Sequence, residues 1–320
     1  MRVAIAFLAA LACAVPAAAA EPWPSRAVRI VVPFPPGGIT DVLARQVAEA
    51  LRPRLGVPVV IDNRPGASGT IGAAYVARSA ADGYTVLFGA RSTFSAAPAI
   101  YERLPYDPAR DFTAVARVAS VPSVVVVHPS VGIGSIEALR QTALREPGRL
   151  TFGSAGPGTS QHIGGELFNL LAGTRMTHVP YRGGAPAMND LVGGHIDLMF
   201  EPVPTALAHI RSGALVALAT TTPVRARALP DLPTIVETGL PGYDLTWWFG
   251  LAAPAKLPAH VLDKLAAALR SAMQSPDMRD ALVGMGADPM DDSPAEFARA
   301  IRADIEEWGA LVRRTGARAD

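Results

Sequence analysis

Two glycine-rich turns, far apart in the chain, carry the residues best suited to hold an anion. In the first, Ile30-Val31-Val32-Pro33-Phe34-Pro35-Pro36-Gly37-Gly38-Ile39-Thr40-Asp41 passes from β-branched residues through paired prolines and glycines to Thr40 and Asp41. Those two stand where a helix cap would, ahead of Val42 to Leu51. Glycine lets the main chain turn sharply and a ligand approach it, and the unpaired N–H groups and dipole of a helix start favour negative charge. Read alone, the segment is equally an ordinary strand-to-helix connection. The device recurs, however, where Leu150-Thr151-Phe152-Gly153-Ser154-Ala155-Gly156-Pro157-Gly158-Thr159-Ser160 leads into Gln161 to Leu171. Two such helix starts imply two opposed halves.

Side chains at the neighbouring strand ends add charge. Arg91 and Arg182 each follow a predicted strand. A guanidinium fork there would suit a carboxylate, and a solvated or structural arginine is the default. Asp41 and Glu201 sit at comparable positions and could receive an ammonium or a hydroxyl, with Asp41 as a helix cap the competing reading. Ser154, Tyr181 and Gly183 complete the strand ends that face the expected cleft, and His162 lies in the first turn of the helix beside it.

Other chemistries find no support. The chain has no Gly-x-x-x-x-Gly-Lys-Ser/Thr loop and no Gly-x-Gly-x-x-Gly fingerprint, although Asp62 ends the second strand. Gly66-Ala67-Ser68-Gly69 is not a nucleophile elbow, and no histidine or carboxylate is placed by sequence to activate Ser68 or Ser154. None of the histidines form a His-x-x-x-His pair, so neither metal nor cofactor is expected.

The elements that must position these residues alternate. Strands at Ala27 to Phe34, Val57 to Asn63 and Tyr84 to Ala90 separate helices at Thr40 to Leu55 and Thr70 to Ser79, which predicts an α/β chain with a parallel sheet. Further strands are expected at Thr113 to Val118 and at Ser123 to His128, the latter a valine run crossing into a second half. That half repeats the plan, with helices at Ile136 to Arg145, Ser160 to Ala172, Pro186 to Gly193 and Val203 to Ser212. A strand from Leu245 to Ala253 is expected to return the chain to the first half. The tail is helical, and Phe297, Ile301, Ile305, Trp308 and Leu311 give it one packed face. Ligands of such sheets sit at the carboxyl ends of the strands.

The 320-residue chain is long enough for two such halves. Met1-Arg2, an apolar run from Val3 to Val15 and Ala17 to Ala20 read as a secretory leader, residues 1–20, cleaved after Ala20. Cys13, the only cysteine, lies inside it, and a lipid anchor there is the alternative. Without Arg2 the 28 basic residues balance 28 acidic ones, so no field for nucleic acid or membrane follows. An exported solute-binding protein is the reading, with a secreted hydrolase using Ser68 or Ser154, or a ligand sensor for a membrane signalling partner, as rivals.

Taken together, the stretches Val32 to Asp41, Asp62-Asn63-Arg64-Pro65-Gly66-Ala67-Ser68-Gly69, Leu104-Pro105-Tyr106-Asp107-Pro108, Gly158 to Phe168, His178-Val179-Pro180-Tyr181-Arg182-Gly183, Leu191 to Phe200 and Leu229 to Thr234 resemble the tripartite tricarboxylate transporter substrate-binding family, the Bug receptors. The resemblance covers essentially the whole mature chain. It implies a two-lobed periplasmic-binding-protein fold of the Venus-flytrap kind (type II), with lobes at 21–122 plus 253–320 and at 123–252 and a hinge of two crossing strands. It further implies a monomer without catalysis that hands a small organic acid to two membrane permease subunits. By position it nominates Gly37, Gly38, Thr40 and Asp41 on one side and Ser154, Gly158, Thr159 and Ser160 on the other. The chain departs from the family at Arg91-Ser92-Thr93-Phe94-Ser95, where Ser/Thr-His is common, and at Glu201, where aspartate is usual, so the ligand class does not transfer.

Overall fold

The computed structural model describes residues 23–316. The expected leader, with Cys13, lies outside the described residues. The first half is a sheet whose strands β1 (Val28–Val32), β2 (Val59–Asn63) and β3 (Thr85–Ala90) run parallel, with β1 between the other two. Their apolar runs are covered by α1 (Ile39–Leu55) and α2 (Thr70–Ala77). On α1 the residues Leu43, Val47, Leu51 and Leu55 form the buried stripe, and Gly56 ends the helix in the left-handed region that only glycine enters cheaply. Beyond β3 the chain makes a π turn at Ser92–Ala96 and a short helix, α3 (Ala97–Ile100), neither of which the sequence pattern shows.

The two strands expected at 113–118 and 123–128 are one, β4 (Phe112–Val127), and it joins the halves. Its first part, to Pro122, pairs with a later strand, β9 (Thr246–Pro254). From Ser123 onward it pairs instead with β7 (Leu198–Pro202) and β8 (Val216–Thr220). Proline has no N–H for a ladder. Pro122 therefore falls at a position where β4 changes partners, which is why a proline that reads as a strand boundary sits inside one long strand.

The second half follows α4 (Ile136–Arg145) with β5 (Thr151–Ser154), α5 (Ser160–Ala172), β6 (Thr177–Pro180) and α6 (Gly184–Val192), then β7, α7 (Val203–Arg211) and β8. Here β5 runs parallel to β6 and β7, repeating the first sheet's plan. β9 then returns the chain to the first sheet, pairing antiparallel with β3 and β4. Residues 246–252, placed in the second lobe by the sequence reading, pair in the ladder with β3 and with the first part of β4. The tail carries α8 (Ala259–Met273), α9 (Pro276–Met285), the short β10 (Asp288–Pro289) and α10 (Pro294–Thr315). Phe297, Ile301 and Trp308 of α10 are buried as its periodicity predicts, and Ser293 with Glu296 closes its start in a capping box. No helix among the described residues is long and apolar enough to cross a membrane.

Candidate functional site

Three helices begin at one place between the halves, and none has a side-chain cap. The start of α1 follows Gly38, that of α5 follows Thr159 and that of α6 follows Gly183. Gly38, Ile39 and Thr40 from one half meet Thr159, Ser160, Gln161 and Gly184 from the other around a shared cavity. Of the other helices, α4 and α10 are capped by Ser135 and Ser293, and α2, α7, α8 and α9 lack a side-chain cap too, so it is the convergence of these three starts that sets them apart. The first turn of a helix leaves its N–H groups without intrahelical partners, so these three starts together present donors and positive dipole ends to one small volume.

The side chains that would ordinarily cap these helices are used to shape the loops. Asp41 is not the cap that its position suggests; Gly38 is. The Asp41 carboxylate, 3% exposed, accepts from Gly37 N–H (3.0 Å), from Arg45 Nε and Nη2 (2.9 and 3.0 Å) and from Asn63 Nδ2 (2.9 Å). Burial works to raise its pKa, and the bonds from Arg45, Gly37 and Asn63 outweigh it and leave the pKa lowered. Asn63 also donates to Phe34 O at 3.0 Å, which ties the end of β2 to the first turn. Gly37 itself sits at φ +85°, a conformation that explains its residue type.

On the facing side Thr159 donates its hydroxyl to Gly156 O at 2.6 Å rather than accepting from the helix. Gly158 N–H donates to His162 Nδ1 (3.0 Å), and the His162 ring stacks on His178 at 4.0 Å. His178 Nε2 is hydrogen-bonded to Ser154 Oγ at 2.6 Å, and Ser154 Oγ also accepts from Gly156 N–H (3.0 Å). Burial, with the neighbouring His178 second, pushes His162 down to about 3, and burial pushes His178 down to about 4. Both rings are therefore neutral at ordinary pH. The Ser154–His178 pair is one that the sequence does not place; it forms because β5 and β6 lie side by side. With Ser154 fully buried and its histidine a weak base, the pair holds the turn.

The walls are apolar. Phe34, Trp247 and Phe249 line the cavity from the first half, and Trp247 Nε1, in a residue 1% exposed, has no hydrogen-bond partner among the described residues. Along β9 the alternation puts Trp247 and Phe249 on the cavity while Trp248 points the other way, donating to Asp304 Oδ2 of α10 at 2.6 Å. Glu201, 1% exposed at the end of β7, closes the second half's side; it accepts from Gln161 Nε2 (3.2 Å) and lies 2.5 Å from Thr205 Oγ1.

Of the residues nominated from sequence, Gly38, Thr40, Thr159, Ser160 and Glu201 line this cavity. Gly37 borders a second cavity beside it, and Tyr181 and Arg182 line a mouth of about 740 Å³ whose walls, like those of the first cavity, include Phe34 and Ala155. Asp41, Ser154 and Gly158 support the loops from behind. Arg91 lies elsewhere: its guanidinium forks onto Asp304 (2.6 and 2.9 Å), donates to Thr246 O (3.0 Å) and stacks over Trp308. It fastens α10 to the sheet. Ser92, Gln161, Gly184 and Trp247 were missed. Gly183-Gly184 ahead of α6 repeats the Gly37-Gly38 pattern and was the available signal for α6.

The cavity holds about 30 Å³ open to a water-sized molecule, so an organic acid of several carbons enters only if the halves part. A larger cavity of about 850 Å³, lined by Arg26, Arg29, Tyr75, Arg78 and Tyr84, lies at the opposite ends of β1 and β3 and gathers no convergent helix starts. No cluster of three or more metal-ligating side chains occurs among the described residues.

Residues 43–317 match the model of the Tripartite tricarboxylate transporter family receptor. Protein BugT of Bordetella pertussis is 37% identical over 313 residues, spanning 98% of this chain and 96% of its own. Among solved structures, R. palustris Rpa4515 with adipate superposes with a TM-score of 0.90 at 37% identity, over 92% of this chain and 99% of that one. MatC (Rpa3494) from Rhodopseudomonas palustris with bound malate gives a TM-score of 0.87 at 33% identity, over 91% of this chain and 100% of that one.

Proposed function

Because this chain belongs to the tripartite tricarboxylate transporter receptor family, a family of solute-binding proteins and not of enzymes, we propose that its ligand is a small dicarboxylate gripped between the two halves. The observation that supports this most is the meeting of three uncapped helix starts, from both halves, at one small cavity. One carboxylate accepting from N–H groups on both sides gains charge-assisted bonds worth about 1.5–3 kcal/mol each only when the halves are together. Closure is thereby coupled to the ligand's charge. The relatives seen with adipate and with malate support a dicarboxylate as the class.

The lobes in this proposal are divided where β4 passes Pro122 and where the chain enters β9 at Thr246, residues that lie opposite each other in the ladder. Two adjacent strand crossings form a hinge. Gly37, Gly38, Thr40, Thr159, Ser160 and Gly184 contact the ligand; Asp41 and the Ser154–His178–His162 set hold their turns; Tyr181 and Arg182 border the entrance. The protein is exported by its leader, cleaved after Ala20, acts as a monomer in the periplasm and delivers its ligand to two permease subunits. Native mass spectrometry of protein purified from its host, followed by thermal shifts with adipate and malate, tests the reading. A retained dicarboxylate, recovered chemically unchanged and raising the unfolding temperature, is expected. Turnover of the ligand, or indifference to every dicarboxylate, would contradict it.

A further inference from the structure

Glu201 is a buried carboxyl with no counter-charge among the described residues. It borders both the central cavity and the one beside it, of about 270 Å³, and its hydrogen-bond partners are Gln161 and Thr205. The Thr205 hydroxyl lies 2.5 Å from Glu201 Oε1 and 2.9 Å from Pro202 O. Thr205 Oγ1 is placed to donate to Glu201 Oε1, with Pro202 O as a second acceptor of the same proton. The carboxyl thus sits among neutral partners at the edge of two cavities. Burial agrees with the geometry: it pushes the carboxyl up to about 7, against the lowering effect of its bonds to Thr205 and Gln161.

The surrounding elements bring no free cation to it among the described residues. From α1 comes Asp41, already paired with Arg45. From the turn after β3 comes Arg91, committed to Asp304 and Glu307. α5 carries Gln161, with His162 and Glu166 facing each other further along. α6 brings Asn189 and also Asp190, which accepts from Tyr181. α7 brings His209 to the far wall of the 270 Å³ cavity. A ligand carboxylate entering the central cavity would therefore share a dry space with Glu201, where two ionised carboxyls repel strongly.

We infer that Glu201 carries its proton when the cleft holds a carboxylate, so that ligand capture is linked to proton binding at this one residue. This rests on the carboxylate-receptor reading above. An ionised Glu201 opposes the ligand; a protonated one admits it.

Isothermal titration of the full mature chain with adipate and with malate, between about pH 6.5 and pH 9 where both probes are ionised, tests it. Affinity is expected to fall roughly tenfold between about pH 6.5 and pH 8, with close to one proton taken up per ligand at the higher pH. Paired buffers of different ionisation enthalpy count that proton. Glu201→Gln, which keeps a neutral hydrogen-bonding head but cannot titrate, is expected to lose both the slope and the uptake. A wild-type affinity flat with pH and no proton uptake would overturn the inference while leaving the receptor reading intact. The same slope in Glu201→Gln would also overturn it and would move the linkage to another group. Failure of both probes to bind at any pH would remove the dicarboxylate reading, and this inference with it. Should Glu201→Gln fail to fold, the wild-type proton count decides alone.

Discussion

Gly183→Ala adds one methyl group where the two turns touch. A Cβ at Gly183 would stand 2.7 Å from Cδ and 2.8 Å from Cγ of Pro35, across the cleft. The pyrrolidine ring cannot swing aside as a long side chain would, so the turns must separate by several tenths of an ångström. Overpacking of this kind costs about 1–3 kcal/mol. At about 1.4 kcal/mol per tenfold, adipate or malate should bind roughly 5- to 150-fold more weakly. The contact joins the halves and does not lie inside either, so the penalty falls on closure. Isothermal titration gives the affinity, and thermal unfolding without ligand is expected to stay within about 2 °C of wild type. Gly134→Ala, where a Cβ meets nothing within 4 Å, is the control. Unchanged affinity in Gly183→Ala would refute the claim that these turns close on the ligand, and a large drop in the unfolding temperature would show that the contact serves the fold instead.

Trp247→Phe removes a buried N–H that no protein group accepts; binding should weaken by roughly 1.5–3 kcal/mol in a titration while the ligand-free unfolding temperature stays level or rises. Arg91→Met leaves Asp304 buried without its bidentate partner and should cost on the order of 3 kcal/mol in denaturant unfolding, with carboxylate affinity little changed. The His162–His178 pair, whose folded pKa values are depressed to about 3 and about 4, binds protons more readily when unfolded. Its stabilising contribution is therefore complete above the unfolded value near 6.5 and is lost as pH falls from there toward 4, which an unfolding series over that range would register and which His178→Gln should flatten. Glu201 has the opposite sign: its raised pKa gives stability below the ordinary carboxyl range that is lost as pH rises through about 7.

The alternation of strands and helices, the two glycine turns and the family resemblance were legible in the sequence because each is local. Helices expected at 136–145 and 160–172 coincide with α4 and α5, and the packed face expected of the tail is that of α10, because their apolar stripes are regular; Ser135 and Ser293 also cap α4 and α10. What could not be read was direction. Asp41 looks alike whether its carboxylate faces a ligand or its own loop, and only the placement of Arg45 and Asn63 decides for the loop. Arg91 follows a strand end as a ligand arginine would, yet its partner Asp304 lies 213 residues away. The whole of β9 is apolar, so its alternation could not tell which of Trp247 and Trp248 meets the cavity. β4 was divided at Pro122 because a change of partner in mid-strand leaves the same trace as a strand end.

Backbone amide shifts, followed in an isotope-labelled sample as adipate or malate is added, test the grip on the anion most directly. The largest changes should fall on Ile39, Thr40, Ser160, Gln161 and Gly184, on both sides of the cleft and saturating together. Shifts confined to one side, or centred on Arg29, Tyr75 and Arg78 at the opposite ends of β1 and β3, would contradict it.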